Sequence, residues 1–576
     1  MTSPQRYSSP TTLSRRRFIK GVAALGTLPL LSDLASAQPS RSRIDPNAKV
    51  LTGNEFYLEI DYADVNFTGN AAVATAINGQ VPGPTLVWQE GQTVTIHVTN
   101  KMNVPTSIHW HGIVLPFHMD GVPGISFPGI APNETFTYRF KVRQHGTYWY
   151  HSHTAYQEQT GMYGAIVIKP KRKEPLRYDK DFVVVLSDWS DEKPETIYRK
   201  LKVRSDYYNF NQRTLGDFFD EVKRDGLSRA FAKRRMWNEM RMSDRDLSDV
   251  TGYTYTYLMN GRPPSTPFQA LFKPNERIRL RIINASAMTF FDFRIPGLKL
   301  EVVAADGNLV RPVRVDEIRL GVAETYDVIV HPRHHRAYAM FAQSIERSGY
   351  ALGSLTPSVS MKPDVPAMDK PQPLTMADMG MAMPMKGMKT MKKPYRWQAM
   401  EEQKYPVTPL PMRWGPQTTM RAKSPRYRLD DPGVGLRQNG RRVLTYADLK
   451  NRYSTKHWRK PDREIILHLT GNMERYMWSI NGIKYADAKP LVFRYGERLR
   501  ITFINDTMMN HPMHLHGMWS DLETGDDNRL VRKHTVIVQP GSKISYRVTV
   551  DAKGAWAYHC HLLYHMAGMF RKVVVV

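Results

Sequence analysis

Cysteine occurs once in this 576-residue chain, at Cys560 in AYHCHLLYHMAGMF (557–570), between His559 and His561 and ahead of His565 and Met569. Of the 19 histidines, ten fall in four short clusters: His109 and His111; His151 and His153; His511, His514 and His516; His559, His561 and His565. A single thiol cannot form an intramolecular disulfide. Cys560 is therefore a buried structural thiol, a reactive thiol or a metal ligand. The H-x-H spacing points to metal, because residues i and i+2 of a β-strand share one face while i+1 points to the other. His109 with His111, His151 with His153, His514 with His516, and His559 with His561 each present an imidazole pair to one side, enough for three metal ions. Cys560 faces the opposite way. With His511, His565 and a weakly bound Met569 it makes the ligand set of a blue copper centre. A tetrahedral zinc site is the rival reading, but a thioether suits copper better. An electron reaching the Cys560 thiolate then has one residue of chain to cross to either neighbouring imidazole.

Such pairs need strands to hold them, and the chain supplies a repeat. NGQVPGPTLVWQEGQTVTIHVTN begins at Asn78, NGRPPSTPFQALFKPNERIRLRIINAS at Asn260 and NGIKYADAKPLVFRYGERLRITFINDT at Asn481. Each is an Asn-Gly, a loop, a short apolar strand, a turn, and an alternating strand ending in Asn. Period-two alternation between turn signals predicts antiparallel β structure, and three copies predict an all-β chain of three β-sandwich or barrel domains. HWHG (109–112) and HLHG (514–517) match, as do GTYWYHSHTAYQEQTGMYGAIVI and GAWAYHCHLLYHMAGMFRKVVVV. The middle copy has NASAMTFFDF instead and is expected to be a metal-free spacer. The expected domains are 45–172, 173–350 and 460–576. A helical insertion is expected at about 210–250, where LGDFFDEVKRDGLSRAFAKRRMW has helical periodicity. A linker region rich in Met, Pro and Lys, 351–459, carries seven Met in MADMGMAMPMKGMKTM (376–391) and is expected to hold them in a flexible loop.

Hydrophobic residues make up 41% of the chain and charged residues 23%, the composition of a soluble globular protein. The net charge of +27 is spread along the chain rather than gathered in a block, which argues for a solvated basic surface and against nucleic acid as a partner. Ser14-Arg15-Arg16-Arg17-Phe18, a short apolar run and ASA (35–37) read as a twin-arginine signal peptide, 1–37, cleaved after Ala37. That run is too short to span a bilayer comfortably. The mature protein is expected in the periplasm, exported folded, without a membrane span.

With HWH, HSH, HPMHLH and HCHLLYH all present, the chain from about residue 45 to 576 resembles the multicopper oxidases, and among them most the periplasmic copper-resistance protein A branch. The resemblance implies cupredoxin-like Greek-key domains and four coppers per chain. By motif, type 1 copper would take His511, Cys560 and His565, with Met569 axial. Type 2 would take His109 and His514. One type 3 copper would take His111, His151 and His561, and the other His153, His516 and His559. One departure stands out: three residues, not the family's usual four, separate His565 from Met569, so Phe570 occupies the usual axial spacing and would leave no axial ligand. Asp120 in MDG is either the family's proton-delivering carboxylate or a turn residue before Gly121. The implied activity is one-electron oxidation of a donor coupled to reduction of O2 to water, with Cys560 carrying the electron. The Met-rich segment favours Cu(I) as donor, in the service of copper resistance. A laccase-type phenol oxidase and a non-catalytic copper-storage protein are the alternatives, and other periplasmic copper-handling proteins are the partners such a role would bring.

Overall fold

The computed structural model describes residues 42–43, 49–381 and 405–576. The signal segment 1–37 and residues 382–391 of the Met-rich stretch lie outside them.

Each Asn-Gly of the repeat is a tight turn in which both residues take positive φ, 51° and 67° at Asn78-Gly79, 51° and 69° at Asn260-Gly261, and 51° and 67° at Asn481-Gly482. Asn and Gly adopt that conformation at least cost. The Asn side chain does a second job in every copy. Its Oδ1 accepts the backbone N–H of Glu59 (2.6 Å), Val185 (2.6 Å) or His468 (2.7 Å), stapling the turn to the first long strand of its sheet. The Asn at the end of each repeat is as constrained. Asn100, Asn284 and Asn505 are buried, donate through Nδ2 to two backbone carbonyls each, and accept a backbone N–H two residues on. Each such bond contributes about 1 kcal/mol net and costs more to leave unmade.

Six sheets follow, in three pairs, all within Ser42–Val576. Thr93–Asn100 alternates buried and open positions along its length, the pattern of a strand with one face in a core. Aromatic side chains bridge the sheets of each pair: Trp88 with Phe140 (centroids 5.7 Å apart), Tyr257 with Phe291 (5.5 Å) and Phe503 with Tyr558 (5.7 Å). The protein is all-β, built of three cupredoxin-like sandwiches. Its sheets are mixed, though, where sequence alternation predicts antiparallel pairing. Glu55–Val65 lies parallel to Thr93–Asn100, Lys180–Trp189 to Ile278–Asn284, and Arg463–Asn472 to Arg498–Asn505. Alternation reports that one face is buried; it carries no information on neighbour direction, which the crossing of the chain between the two sheets decides.

The helical segment starts earlier than its charge pattern suggests, with a helix at Pro194–Val203, and continues as Leu215–Asp225 and Leu227–Glu239, broken at Gly226. Thr214 and Asp217 close a capping box at the second helix. The strand Tyr350–Thr356 belongs to the middle sandwich, and Val407–Thr408 and Arg426–Tyr427 pair with strands of the third. The start of the Met-rich stretch is anchored rather than loose: Met379 is buried, and Asp378 holds the Thr375 N–H and pairs with Arg437 at 2.6 Å. Among the described residues no helix is long and apolar enough to cross a membrane.

The middle sandwich is tied to both neighbours by buried carboxylates. Asp327 accepts from Thr147 of the first sandwich at 2.7 Å, and Asp306 accepts the His534 and Thr535 N–H groups of the third, each at 3.1 Å. Lys533 is fully buried, 3.0 Å from both Asp306 and Glu324. Burial alone would lower its pKa, but the two carboxylates outweigh that and hold it above the usual lysine value. Lys533→Ala strands two buried carboxylates, so urea unfolding should show a loss of about 3–5 kcal/mol.

Candidate metal centre

His109–His111 pairs antiparallel with Gly146–His151, setting His109 opposite His151. His511–Leu515 pairs antiparallel with Gly554–Cys560, setting His514 opposite His559 and Met513 opposite Cys560. The two edges meet. His109 Nε2 lies 3.4 Å from His514 Nε2, His151 Nε2 3.3 Å from His561 Nε2, and His559 Nε2 3.3 Å from His153 Nε2 and 3.1 Å from His516 Nε2. His111 stacks on His514 with centroids 3.8 Å apart. The eight imidazoles of the H-x-H pairs thus surround one space.

Hydrogen bonds fix which nitrogen faces that space. Nδ1–H donates to an oxygen from His109 (Asp120 O, 2.7 Å), His151 (Ser152 O, 3.0 Å), His514 (His534 O, 2.6 Å), His516 (Asp120 Oδ2, 2.8 Å) and His559 (Cys560 O, 2.9 Å). Since those oxygens accept, Nε2 of each ring carries a lone pair. His111 is turned round: its Nε2 lies 3.1 Å from Thr535 Oγ1 and from His534 Nδ1, and its buried Nδ1 has no partner among the described residues. Lone pairs facing one another at 3.1–3.4 Å, as in His109–His514 and His516–His559, repel unless a cation lies between them. The donor set therefore fits metal. Burial first, and then mutual repulsion with neighbouring imidazoles, hold His111, His151, His153, His514, His516 and His561 far below the ordinary histidine pKa. His559 is lowered to about 4, chiefly by burial. All are neutral at pH 7, the form that binds a metal.

On the other face of Gly554–Cys560, Cys560 Sγ is 3.5 Å from His511 Nδ1 and 3.7 Å from His565 Nδ1. Thr507 gives its hydroxyl hydrogen to Asn505 Oδ1, so its Oγ1 accepts from His511 Nε2 at 2.6 Å. Asp249 Oδ2 accepts from His565 Nε2 at 2.7 Å. Both Nδ1 lone pairs are left to converge on the sulfur. Trp478 stacks on His565 at 3.8 Å. Burial pushes the Cys560 thiol up, a cost that a metal would remove by taking the thiolate. Phe570, the alternative occupant of the axial position, pairs with His559 across the strands and stacks on its ring (5.3 Å, 9°), so it belongs to the imidazole side. Met569 is fully buried, and its carbonyl accepts the Cys560 N–H at 3.0 Å.

Asp120 is both a turn residue and a partner of the imidazole cluster. Its N–H closes a turn onto Phe117 O, and its buried carboxylate reaches His516, so one residue of the first sandwich orients a histidine of the third. Three residues that no spacing signals join them. Glu158 Oε2 is 2.9 Å from His151 Nδ1, and burial pushes its carboxyl well up. His534 touches His111. Asp249, from the chain of the middle sandwich, orients His565 of the third. A cavity of about 10 Å³ lined by His109, His514, His516 and His534 shares Val114, Met518 and Trp519 with an open hollow of about 580 Å³.

Comparison with known proteins extends these observations. Family models described as "Multicopper oxidase" match residues 59–173, 209–356 and 458–576. The chain is 53% identical to a copper resistance protein A homolog of Pseudomonas syringae pv. tomato, over 98% of this chain and 100% of that one. It is 52% identical to copper resistance protein A of Escherichia coli, over 98% and 99%. Among solved structures it resembles Fet3p, a multicopper oxidase that functions in iron import, with a TM-score of 0.64 at 18% identity over 91% of this chain and 90% of that one.

Proposed function

Because the chain belongs to the multicopper oxidases, and is therefore a copper-dependent oxidoreductase, we propose that it oxidises Cu(I), with O2 as the final electron acceptor, as a copper-resistance enzyme of the periplasm. The observation that carries this is the alternation at His559-Cys560-His561: one strand offers a thiol to His511 and His565 on one face and two imidazoles to the eight-membered cluster on the other. When bound, four coppers supply the one-electron steps and the four-electron reduction of O2 to two waters; the protein supplies geometry and protons.

His511, Cys560 and His565, with Met569 axial, would hold the type 1 ion. His109 and His514 would hold type 2. His111, His151 and His561 would hold one type 3 ion, and His153, His516 and His559 the other. The lone-pair directions support this division, with His111 serving through Nδ1 and the paired Nε2 atoms drawn together. Asp120 keeps His516 oriented and is the group we assign to proton supply. The cavity beside His109 and His514 is the way in for O2 and out for water. The relatives named copper resistance protein A, and the methionines at 376–391, favour Cu(I) over phenols. On this reading 1–37 is a twin-arginine signal, removed on export to the periplasm, and 45–172, 173–350 and 460–576 are the domains.

The test is steady-state O2 uptake by one copper-loaded preparation, given Cu(I) or a phenol in turn. Uptake with Cu(I), at about four Cu(I) per O2, is the expected result. Uptake with the phenol alone would make it a laccase, and Cu(I) binding without uptake a storage protein.

A further inference from the structure

We infer that His534 is the way-station through which copper enters the imidazole cluster: its ring takes the ion from the hollow beside Trp519 and hands it to His514. This rests on the reading of the eight imidazoles as a copper cluster and adds how that cluster is filled.

A ninth imidazole stands beside the eight. His534 is buried, and its ring lies 4.7 Å from that of His111 and 6.2 Å from that of His514 by centroid. Its main chain is already engaged. Its N–H goes to Asp306 Oδ2 at 3.1 Å, and its carbonyl accepts the His514 Nδ1–H at 2.6 Å. The ring has a prepared place: Gly112, the glycine of HWHG, takes a φ of 78°, and a Cβ there would collide with His534 Cδ2.

Hydrogen bonds set the tautomer. Thr535 directs its hydroxyl hydrogen to Ala323 O at 3.5 Å, so its Oγ1 accepts, and His534 Nδ1 lies 3.1 Å from it. Asp306 Oδ2, 3.6 Å from the same nitrogen, also favours the hydrogen there. Nε2 therefore keeps its lone pair, and this buried atom has no partner among the described residues. Leaving a buried nitrogen unpaired is costly. A histidine whose other nitrogen is held by an oxygen acceptor is the usual form of a metal ligand.

The ring lines the throat of the site. The cavity it shares with His109, His514 and His516 measures about 10 Å³, room for about one water, and it meets the open hollow of about 580 Å³ at Val114, Met518 and Trp519. A copper ion carrying its hydration shell cannot pass so narrow a space. It must shed water as it moves inward, and each water lost needs a protein donor in exchange. His534 Nε2 is the donor at that point. With metal–imidazole bonds of about 2 Å, rings 6.2 Å apart are near enough for the ion to gain His514 before it leaves His534. The His534 carbonyl holds His514, so one residue both delivers the ion and orients the ring that receives it. The exchange moves no electron; one nitrogen replaces another.

The test reloads the whole chain, stripped of copper by a chelator, with excess Cu(I) under anaerobic conditions. Samples are quenched with chelator, oxidised in air and read twice, by the blue absorbance of the Cys560 centre and by the electron paramagnetic resonance of cluster copper. In His534→Ala the cluster should fill about 10–100-fold more slowly than in wild type, the range for losing a metal-site partner. The blue centre should fill at the wild-type rate, and the final copper content should be unchanged. His534→Met, which returns a soft donor to the throat, should recover most of the rate. Both substitutions leave the backbone bonds to Asp306 and His514 in place, and the blue centre reports folding. Should His534→Ala fail to fold, His534→Met against His534→Leu decides, and equal rates in that pair overturn the inference. Cluster filling at the wild-type rate or faster in His534→Ala, as when copper enters past the half-buried His153, also overturns it, and so does equal slowing of both centres. A wild-type chain that loads the blue centre and never the cluster overturns the copper reading of the eight imidazoles itself.

Discussion

Cys560→Ser is expected to abolish the blue absorbance, to lower bound copper by one ion per chain, and to cut O2 uptake with any donor by about 10³-fold, a barrier increase of about 4 kcal/mol. The argument is geometric. Cys560 is the only sulfur ligand of its type in the chain, and it is the residue that joins the two faces of the strand. The His511 and His565 Nδ1 atoms converge on its sulfur, and its peptide neighbours His559 and His561 belong to the imidazole cluster. Serine keeps the volume nearly unchanged but offers a hard, protonated oxygen where a soft thiolate is needed. Burying that hydroxyl costs about 1–3 kcal/mol of stability, which thermal unfolding will measure separately. The sulfur lies beside His511 and His565 and not among the eight imidazoles, so copper held by the cluster should remain, visible by electron paramagnetic resonance. If Cys560 were only a packed core thiol, the variant would lose stability and keep its turnover.

That the two clusters could be read from sequence at all depends on local regularity. Strand alternation decides which side chains share a face, so HWH, HSH, HLH and HCH announce their pairing within three residues each. The repeats were legible for a similar reason. Asn-Gly turns and strand-terminal Asn residues satisfy backbone groups in a way few other residues can, and they recur at Asn78, Asn260 and Asn481 and at Asn100, Asn284 and Asn505. Parallel pairing was not legible, because it depends on which strand the chain crosses to. Glu158, Asp249 and His534 were missed for the complementary reason. Each reaches its histidine from outside the H-x-H motifs, and nothing in its neighbours distinguishes it from an ordinary loop or core residue. Glu158 follows His153 by five residues, and an acid so near an H-x-H pair is the one signal that could have been weighed. Where Phe570 points could not be read from spacing either: the register of a strand pair places it on the ring of His559.

Asp120→Asn carries the second large effect, and it falls at the opposite end of the electron path we propose. Asp120 is fully buried and offers two different acceptors. Its backbone carbonyl takes the His109 Nδ1–H at 2.7 Å, and its Oδ2 takes the His516 Nδ1–H at 2.8 Å. Its Oδ1 is 3.4 Å from His109 Nδ1 and otherwise without a partner among the described residues, which leaves it open to a water or a proton donor. Asparagine preserves an oxygen for His516 and the carbonyl for His109, so the histidines should stay in place and the copper content and blue absorbance should not change. What the amide cannot do is accept and release a proton. Turnover should fall by about 10²-fold or more, the usual cost of removing a positioned acid–base group. Rapid mixing separates the half-reactions. Anaerobic bleaching of the blue band by the donor should keep its wild-type rate, while reoxidation of the fully reduced enzyme by O2 should slow by the full factor. Asp120→Ala should add a loss of copper affinity of about 10–100-fold, because His516 then has nothing to fix its tautomer. A wild-type reoxidation rate in Asp120→Asn would reduce Asp120 to a clamp that holds two imidazoles across the sandwich interface, and proton supply would have to come from another buried acid, of which Glu158 beside His151 is nearest to hand.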